Sequence, residues 1–496
     1  MSHLDNKYPI DDPEKMSDKP SVTDEKYAEE QPVKPDSGSD VFAAEGGDVE
    51  FRGVHWLGAA FLIAKSQFGL GVLGIPFTFM TLGLVPGMIS LVILSAITTW
   101  TGLLVGDFRN RHPSVHSIGD ASYALFGAWG REAMGFTFWL LYTMAYGAAA
   151  MTVAKAFNTF SDHSLCTMGF VGIAAVISLF LGAVTRTLKV MTWFSYIALL
   201  SVFLGVWVTA IACLTQDRPA AAPPAPAPVN KDIRAFSDTT LAAAMSAVST
   251  QLFSLGGTAS FFTIHAEMKN PLEYRKSLWV GQAFVIFNYI VVSLIMYGKV
   301  GAYITSPALG SAGPSIKVVA YAVSIPALFF SCFFQAHLSA KYTFVRLLRN
   351  TRHLQRNTFT HWAVWLGSLV LVLVLGFVVA GAVPFFGDLL GLMGAFLMPS
   401  FVIIVPACLA LYMYVEKSEA HANKPESFAK GRWFLHSWAA AKANGTYAMF
   451  ETLCVYASII IALFIFVAGT YGSVVVIMDS YAEGKVGSAF SCADNS

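Results

Sequence analysis

Residues 66–76 read SQFGLGVLGIP and follow directly on Lys65. The segments on either side, FLIA and FTFM, are apolar enough to lie inside a membrane. The stretch is interrupted by Gly69, Gly71, Gly74 and Pro76. Inside hydrocarbon an unpaired backbone group costs several kcal/mol, so a broken helix is tolerated only where it lines a cavity. The stretch therefore predicts a spanning helix with a functional break in its middle.

The composition of the whole chain indicates a polytopic membrane protein. The 496 residues are 55% hydrophobic and 13% charged, with a mean hydropathy of +0.58. A soluble globular chain carries roughly 25% charged residues. A chain this poor in charge cannot cover itself with a polar surface, so the lipid bilayer is the expected partner. The net charge of +1 gives no reason to expect a nucleic acid partner.

The predicted fold class is all-α, with about 11 transmembrane helices. A span needs about 20 apolar residues. The candidate spans lie near 54–79, 84–105, 133–157, 167–185, 190–213, 243–265, 278–299, 317–340, 361–383, 387–413 and 449–478. The fourth candidate is the shortest and the sixth is the most polar.

The distribution of basic residues predicts the orientation in the membrane. With the N-terminus in the cytoplasm, the inner loops carry 18 Lys and Arg and the outer segments carry 6. Since basic residues favour the cytoplasmic side, this ratio predicts a cytoplasmic N-terminus and an extracellular C-terminal tail, residues 481–496. The inner tail, residues 1–51, is acidic and should be disordered, because it has too little apolar surface to bury.

A second break lies five spans after the first. Residues 251–271 read QLFSLGGTASFFTIHAEMKNP, and Gly256-Gly257 falls in the middle of this predicted span. Two breaks at this spacing are typical of two inverted five-helix repeats whose first helices are interrupted at the bilayer midplane. The repeats would cover about 54–213 and 243–413, with an extra helix at about 449–478. The alternative is that these glycines serve only close helix packing.

Broken helices also predict what kind of molecule the site binds. Freed N–H groups at a half-helix N-terminus attract a carboxylate, and freed carbonyl groups at the opposite helix end attract an ammonium group. A zwitterionic amino acid carries both charges. The predicted substrate-binding residues at the breaks are Ser66, Gly69, Leu70, Gly71, Gly74, Ser254, Gly256, Gly257 and Thr258.

Two motifs resemble those of a known family. KSQFGLGVLGIP at 65–76 resembles the first-helix signature of the amino acid/auxin permease family, and AEMKNP at 266–271 resembles that family's motif at the inner end of the sixth span. Residues 52–480 look like the methyltryptophan-resistance type of neutral amino acid permease from filamentous fungi. The resemblance implies the five-plus-five inverted-repeat fold of the amino acid/polyamine/organocation superfamily with one extra helix. It also implies secondary active uptake of amino acids.

Lys65 is the most informative single residue. A charge inside a membrane is expensive and points to function, although a lysine near a helix end can instead reach the interface. Lys65 lies about ten residues into its span. In sodium-coupled relatives this part of the motif resembles a sodium-binding asparagine, whose place the lysine ammonium would take here. Because a desolvated lysine can exchange its proton, we predict proton coupling.

Three residues at the inner ends of spans are further candidates for proton relay or gating. His265 and Glu267 end the sixth span, and the resemblance places Glu267 in the family motif. Glu267 has the alternative role of an ordinary interfacial carboxylate paired with Lys269 or Arg275. His337 ends the eighth span, where a lone histidine is more often structural.

Aromatic side chains should shape the pocket for the substrate side chain. Tyr142 and Tyr146 lie one turn apart on the third span, and Phe253 precedes the second break. Each could instead be an interfacial anchor. Neither break carries an acidic residue, which a cationic substrate would need. The prediction is therefore a neutral aliphatic or aromatic amino acid.

The main functional hypothesis is a proton-coupled symporter of neutral amino acids in the plasma membrane, with no cofactor and no metal. A vacuolar transporter is one alternative, and an amino acid-sensing receptor or channel is another. The chain contains no Walker A sequence, and no set of residues suggests an enzyme.

Overall fold

The computed structural model describes residues 53–185, 188–224, 226–348, 351, 353–354, 356–383, 386–421, 424–428, 431–482 and 489–492. The predicted disordered tail, residues 1–51, lies outside these ranges. Within them the structure is helical, and its β-structure is a single isolated bridge between Val54 and Met268. The all-α prediction is confirmed.

The first predicted repeat contains six helices. They are α1 (Trp56–Gln67), α2 (Gly71–Leu82), α3 (Leu84–Arg111), α4 (Ile118–Ser161), α5 (Thr167–Val184) and α6 (Leu188–Thr215). The first predicted span is thus divided into α1 and α2, which meet at an angle of 44°.

The second predicted repeat contains seven helices. They are α7 (Leu241–Ser254), α8 (Thr258–Ala266), α9 (Tyr274–Val300), α10 (Pro314–Leu348), α11 (Phe359–Ala382), α12 (Phe386–Phe396) and α13 (Val405–Lys417). The sixth predicted span is divided into α7 and α8. Three further helices follow: α14 (Trp433–Ala443), α15 (Thr446–Phe464) and α16 (Thr470–Ala482).

The number of spans agrees approximately with the prediction. In the described ranges, nine helices are long and apolar enough to cross a membrane, or ten with α1 and α2 counted as one span. The α7–α8 pair supplies the remaining predicted span. This pair does not meet the same criteria of length and apolar character, in keeping with its polar sequence.

Two spans are less regular than predicted. The third begins well before residue 133, because α4 starts at Ile118 and turns sharply at Gly127, where φ is +70°. A residue with a side chain rarely adopts such a φ. The tenth span is divided between α12 and α13 by a π-helical turn, Pro399–Ile404. Proline lacks the N–H group that a regular α-helix would need there.

The first break is shorter than the sequence suggests. Only residues 68–70 are unwound, whereas Gly74 and Pro76 lie inside α2 and were wrongly assigned to the break. The helix tolerates Pro76 because membrane helices accept proline where side chains compensate for the lost hydrogen bond. The nearby Thr78 hydroxyl donates to the Ile75 carbonyl oxygen at 2.7 Å, although the carbonyl that Pro76 leaves without its helical partner is that of Val72.

Candidate functional site

The two breaks lie side by side in the middle of the helix bundle. Residues 68–70 separate α1 from α2, and residues 255–257 separate α7 from α8. Gly71 lies so close to the other break that a Cβ atom there would come within 2.9 Å of the Ser254 Cα. A Cβ atom on Gly257 would come within 2.7 Å of the Ser66 Oγ. Only glycine allows this approach of the two backbones. The glycines therefore do serve close helix packing, and this packing occurs at the breaks themselves.

Tyr289 of α9 connects the two breaks. Its hydroxyl lies 2.8 Å from the carbonyl oxygen of Gln67 and 3.0 Å from that of Ser254, and it donates to both in a shared hydrogen bond. Gln67 and Ser254 are the last residues of α1 and α7. Their carbonyls have lost the helical N–H partners four residues ahead, since the helix stops there. One phenol therefore serves the freed carbonyls of both half-helices.

A narrow cavity opens between the breaks and the helices α4 and α10. It has a volume of about 20 Å³, which is room for about one water molecule. The lining residues of the first break and its flank are Lys65, Ser66, Gln67, Gly69, Leu70 and Gly71. The remaining lining residues are Leu141, Tyr142, Ala145, Phe253, Gly256, Ser331, Phe334, Gln335 and Met398. Among these residues, Lys65 carries the only formal charge, and none has a carboxylate.

Lys65 is buried within the protein rather than reaching a membrane surface. Its side chain is 3% exposed. The Nζ atom donates to the Ser331 Oγ of α10 at 3.0 Å and lies 5.4 Å from the centre of the Phe330 ring. A Cβ atom on Gly69 would come within 2.8 Å of this Nζ. The ammonium group is thus held against the unwound segment, at the edge of the cavity.

A buried glutamine joins the second broken span to α2 and α3. The Gln251 amide of α7 donates to the Thr78 hydroxyl at 3.0 Å and to the Gly87 carbonyl at 3.1 Å. Its carbonyl oxygen accepts from the Ser90 hydroxyl at 2.7 Å. All the polar atoms of this amide have partners, so it ties α7 firmly to α2 and α3.

An ion pair joins α10 to the C-terminal end of α8. The Lys341 Nζ lies 2.8 Å from the Glu267 Oε1. The Glu267 side chain is fully buried and that of Lys341 is 13% exposed. The partner of Glu267 is thus on a distant helix, and Arg275 instead pairs with Asp107. The backbone of Val54 also bonds to that of Glu267 and Lys269. The start of the described chain is thereby fastened to the end of α8.

The structure brings together most of the predicted substrate residues. The cavity is lined by Ser66, Gly69, Leu70, Gly71, Tyr142, Phe253 and Gly256, together with Lys65, which was predicted as a proton-coupling residue. Ser254, Gly257 and Thr258 are buried at the second break, directly beside it.

Other predicted residues lie away from the cavity. Gly74 faces Leu390 of α12, and the Tyr146 ring packs on Gly376 of α11. The His265 ring lies 4.7 Å from the Tyr274 ring at the C-terminal end of α8, and Glu267 follows two residues later. His337 is buried against Trp365, at 5.2 Å between ring centres.

Several residues of the site were missed by the sequence analysis. They are Gln67, Leu141, Ala145, Tyr289, Ser331, Phe334, Gln335 and Met398. Ser331, Phe334 and Gln335 have the spacing of one helical face, and two of them are polar in an apolar span. That pattern could have identified this face of α10 as part of the site. Tyr289 and Met398 gave no such signal, because an aromatic or a methionine in an apolar helix is ordinary core.

Comparison with known proteins gives the family. Residues 52–435 match the family described as transmembrane amino acid transporter protein. The chain belongs to this family. The resemblance seen in KSQFGLGVLGIP and AEMKNP is thereby confirmed, and the protein is a multi-pass membrane protein of an amino acid transporter family.

Fungal relatives match nearly the whole chain. A "Transmembrane transporter" of Gibberella moniliformis is 33% identical over 457 residues, which cover 92% of this chain and 91% of the relative. The "N amino acid transport system protein" of Neurospora crassa is 29% identical over 452 residues, with 91% and 90% covered.

A solved structure has the same fold. The crystal structure of MhsT in complex with L-phenylalanine aligns with a TM-score of 0.52 at 12% identity, covering 85% of this chain and 100% of that chain. An identity this low shows the fold alone. The predicted inverted-repeat transporter fold, with its first and sixth spans broken, is confirmed.

Proposed function

We propose that this protein imports neutral amino acids by proton symport. The observation that carries the proposal is the cavity between the two breaks, which is lined by residues of both breaks, by one buried ammonium group and by no carboxylate. A zwitterion can satisfy both kinds of helix end. A cationic side chain would meet Lys65 without any negative charge to offset the repulsion.

The substrate side chain is expected to lie against the apolar part of the cavity. Leu141, Phe253, Phe334 and Met398 supply this surface. Because the cavity holds only about 20 Å³, an amino acid enters only if side chains such as Phe253 or Met398 rotate. Apolar walls of this kind favour aliphatic and aromatic side chains over polar ones.

Lys65 is the proposed proton carrier. The Ser331 hydroxyl holds its ammonium group beside the unwound segment, so a change in its charge acts directly on the first break. Glu267 is proposed as part of an inner gate, because its pair with Lys341 joins α8 to α10. His265 and His337 remain candidates for a proton path. Their distance from the cavity makes a direct role in binding less favourable.

The proposed location is the plasma membrane, with the N-terminus inside and the C-terminus outside. A disulfide joins Cys166, just before α5, to Cys492 in the C-terminal tail. The basic-residue bias places both cysteines outside. Disulfides persist in oxidising compartments, so this bond supports the proposed orientation. The lumen of a vacuole would be topologically equivalent, and a vacuolar transporter remains the alternative.

Uptake of labelled leucine into proteoliposomes tests the proposal. With an inward proton gradient and no sodium, we expect accumulation above equilibrium that a protonophore abolishes. Accumulation that requires sodium would contradict proton coupling. Saturable binding without accumulation would favour a receptor, and equilibration without accumulation would favour a channel.

Lys65→Ala tests the proton carrier. We expect this variant to lose proton-driven accumulation while still exchanging external for internal leucine. The matched control is Lys155→Ala, which removes a lysine whose Nζ donates to the Ser306 carbonyl at 3.1 Å, away from the cavity. Normal proton-driven accumulation by Lys65→Ala would refute the assignment.

A further inference from the structure

Tyr289 has no role in the function proposed so far, although it is among the most deeply buried polar side chains. It is 0% exposed and lies in the middle of α9. A phenol hydroxyl inside a membrane protein needs a partner, because an unpaired polar group there is costly. The partners here are not the carbonyls of a neighbouring regular helix. They are the two carbonyls that the breaks have set free.

The contacts of Tyr289 with both breaks are extensive. Its ring stacks on Phe68, the first unwound residue, with 5.8 Å between ring centres and 15° between the planes. A Cβ atom on Gly71 would come within 2.5 Å of the hydroxyl oxygen. The Ser254 hydroxyl in turn lies 3.3 Å from the Gly71 carbonyl. The ring thus packs on one break while the hydroxyl lies where both breaks meet.

The arrangement joins the two repeats through one atom. Gln67 ends the first half-helix of repeat one, and Ser254 ends the first half-helix of repeat two. Tyr289 is the residue that hydrogen-bonds to both ends, at 2.8 Å and 3.0 Å. Any motion that separates the two breaks must lengthen at least one of these bonds.

We infer that Tyr289 is a positioning residue that holds the two broken helices in register and so shapes the substrate site between them. It does not line the cavity. It acts through the backbone of residues 68–70 and 255–257, whose N–H and carbonyl groups it fixes in place. The predicted effect of Tyr289 on substrate binding rests on the proposed function. Its predicted effect on the two breaks does not.

Tyr289→Phe is the appropriate variant, because it keeps the ring that stacks on Phe68 and removes only the hydroxyl. The matched control is Tyr297→Phe, two turns further along the same helix. The Tyr297 hydroxyl also donates to a backbone carbonyl, that of Arg234 at 3.2 Å, but at the outer end of α9. Both variants lose one buried phenol hydroxyl, and only one of them loses a contact with the breaks.

Hydrogen–deuterium exchange of the purified protein in detergent tests whether Tyr289 holds the two breaks in place, and it needs no substrate. In Tyr289→Phe we expect the amides of residues 68–73 and of residues 255–260 to exchange at least fivefold faster. In Tyr297→Phe both segments should exchange at the wild-type rate. Unchanged exchange in Tyr289→Phe, or faster exchange in one segment alone, would overturn the inference.

Leucine uptake then tests the consequence for the site. We expect Tyr289→Phe to raise KM about tenfold while the maximal rate changes less than twofold, since removal of one hydrogen-bond donor typically changes an equilibrium by that order. An unchanged KM together with faster exchange would show that the connection does not shape the site. A wild-type protein that does not take up leucine would refute the proposed function, and the exchange result would still decide the role of Tyr289.

Discussion

The ion pair between Glu267 and Lys341 gives the sharpest test of how the C-terminal end of α8 is held to α10. Glu267→Gln keeps the shape of the side chain and removes its charge, which removes its ion pair with the Lys341 ammonium group. The pair is 2.8 Å long and its carboxylate is fully buried. Breaking such a pair by removing one partner costs about 3–5 kcal/mol. Because Lys341 is 13% exposed, water relieves part of this cost, and about 3 kcal/mol is expected.

A double-mutant cycle separates this cost from the loss of packing. Lys341→Met should also cost about 3 kcal/mol, because it removes the cation from the same buried ion pair. The double variant removes both charges of this pair and should lose about 1 kcal/mol in total. Unfolding free energies measured by denaturant titration in detergent micelles give the coupling between the two residues. A coupling below about 0.5 kcal/mol would refute the view that this pair stabilises the contact between α8 and α10.

The exposed pair between Arg275 and Asp107 serves as the control on the same side of the protein. Its atoms are 3.0 Å apart, but the two side chains are 60% and 36% exposed. Such pairs contribute about 0–1 kcal/mol, so Asp107→Asn should change stability little. If Glu267 belongs to an inner gate, Glu267→Gln should also lower leucine accumulation without lowering leucine exchange. Asp107→Asn should leave both unchanged.

Two further predictions concern the cavity. Gly257→Ala should reduce leucine uptake at least tenfold, because a Cβ atom there would come within 2.7 Å of both Phe261 and Ser66. Gly172→Ala, where nothing lies within 4 Å of the new Cβ atom, should leave uptake unchanged. Phe253→Ala should remove part of the apolar wall and so enlarge the cavity, which should raise the ratio of tryptophan to leucine uptake about tenfold. Competition assays with the two amino acids measure this ratio, and an unchanged ratio would remove Phe253 from the specificity pocket.

The sequence revealed the two breaks because glycine leaves a local signal. A pair or triplet of glycines in an apolar span is visible without knowledge of what lies next to it. The extent of each break is less visible. Gly74 looks like part of the first break, yet α2 runs through it and through Pro76. Where a helix resumes depends on the neighbours that stabilise its first turn, and those neighbours come from other spans.

The break in the tenth span shows the same limit. Its α12 ends at Phe396, and the π-helical turn begins at Pro399. A single proline in a membrane span is often accommodated without unwinding, as Pro76 is. The difference between Pro76 and Pro399 is therefore not local, and the sequence around each proline could not predict it.

Pairings between distant residues were the least predictable part. Cys166 and Cys492 form a disulfide across 326 residues, although each looks unremarkable by itself. A signal did exist, because the charge bias puts both near the same membrane surface. For Glu267 the sequence offered the nearby Lys269 and Arg275 as partners, and the structure provides Lys341 instead. Charge and position along a helix predict that a group needs a partner, but only the fold decides which partner it meets.

The charges around the cavity suggest why one buried lysine suits the proposed transport cycle. An amino acid zwitterion brings no net charge, so its entry leaves the charge of the site unchanged. With a protonated Lys65 the loaded site carries one positive charge, and with a neutral Lys65 it carries none. The Lys65 Nζ is held by Ser331 against the unwound segment at Gly69, so the proton on Lys65 distinguishes two states of the site that differ in how this group contacts the first break. Removing the charge in Lys65→Ala abolishes that distinction, which is why the variant should exchange substrate and yet fail to concentrate it.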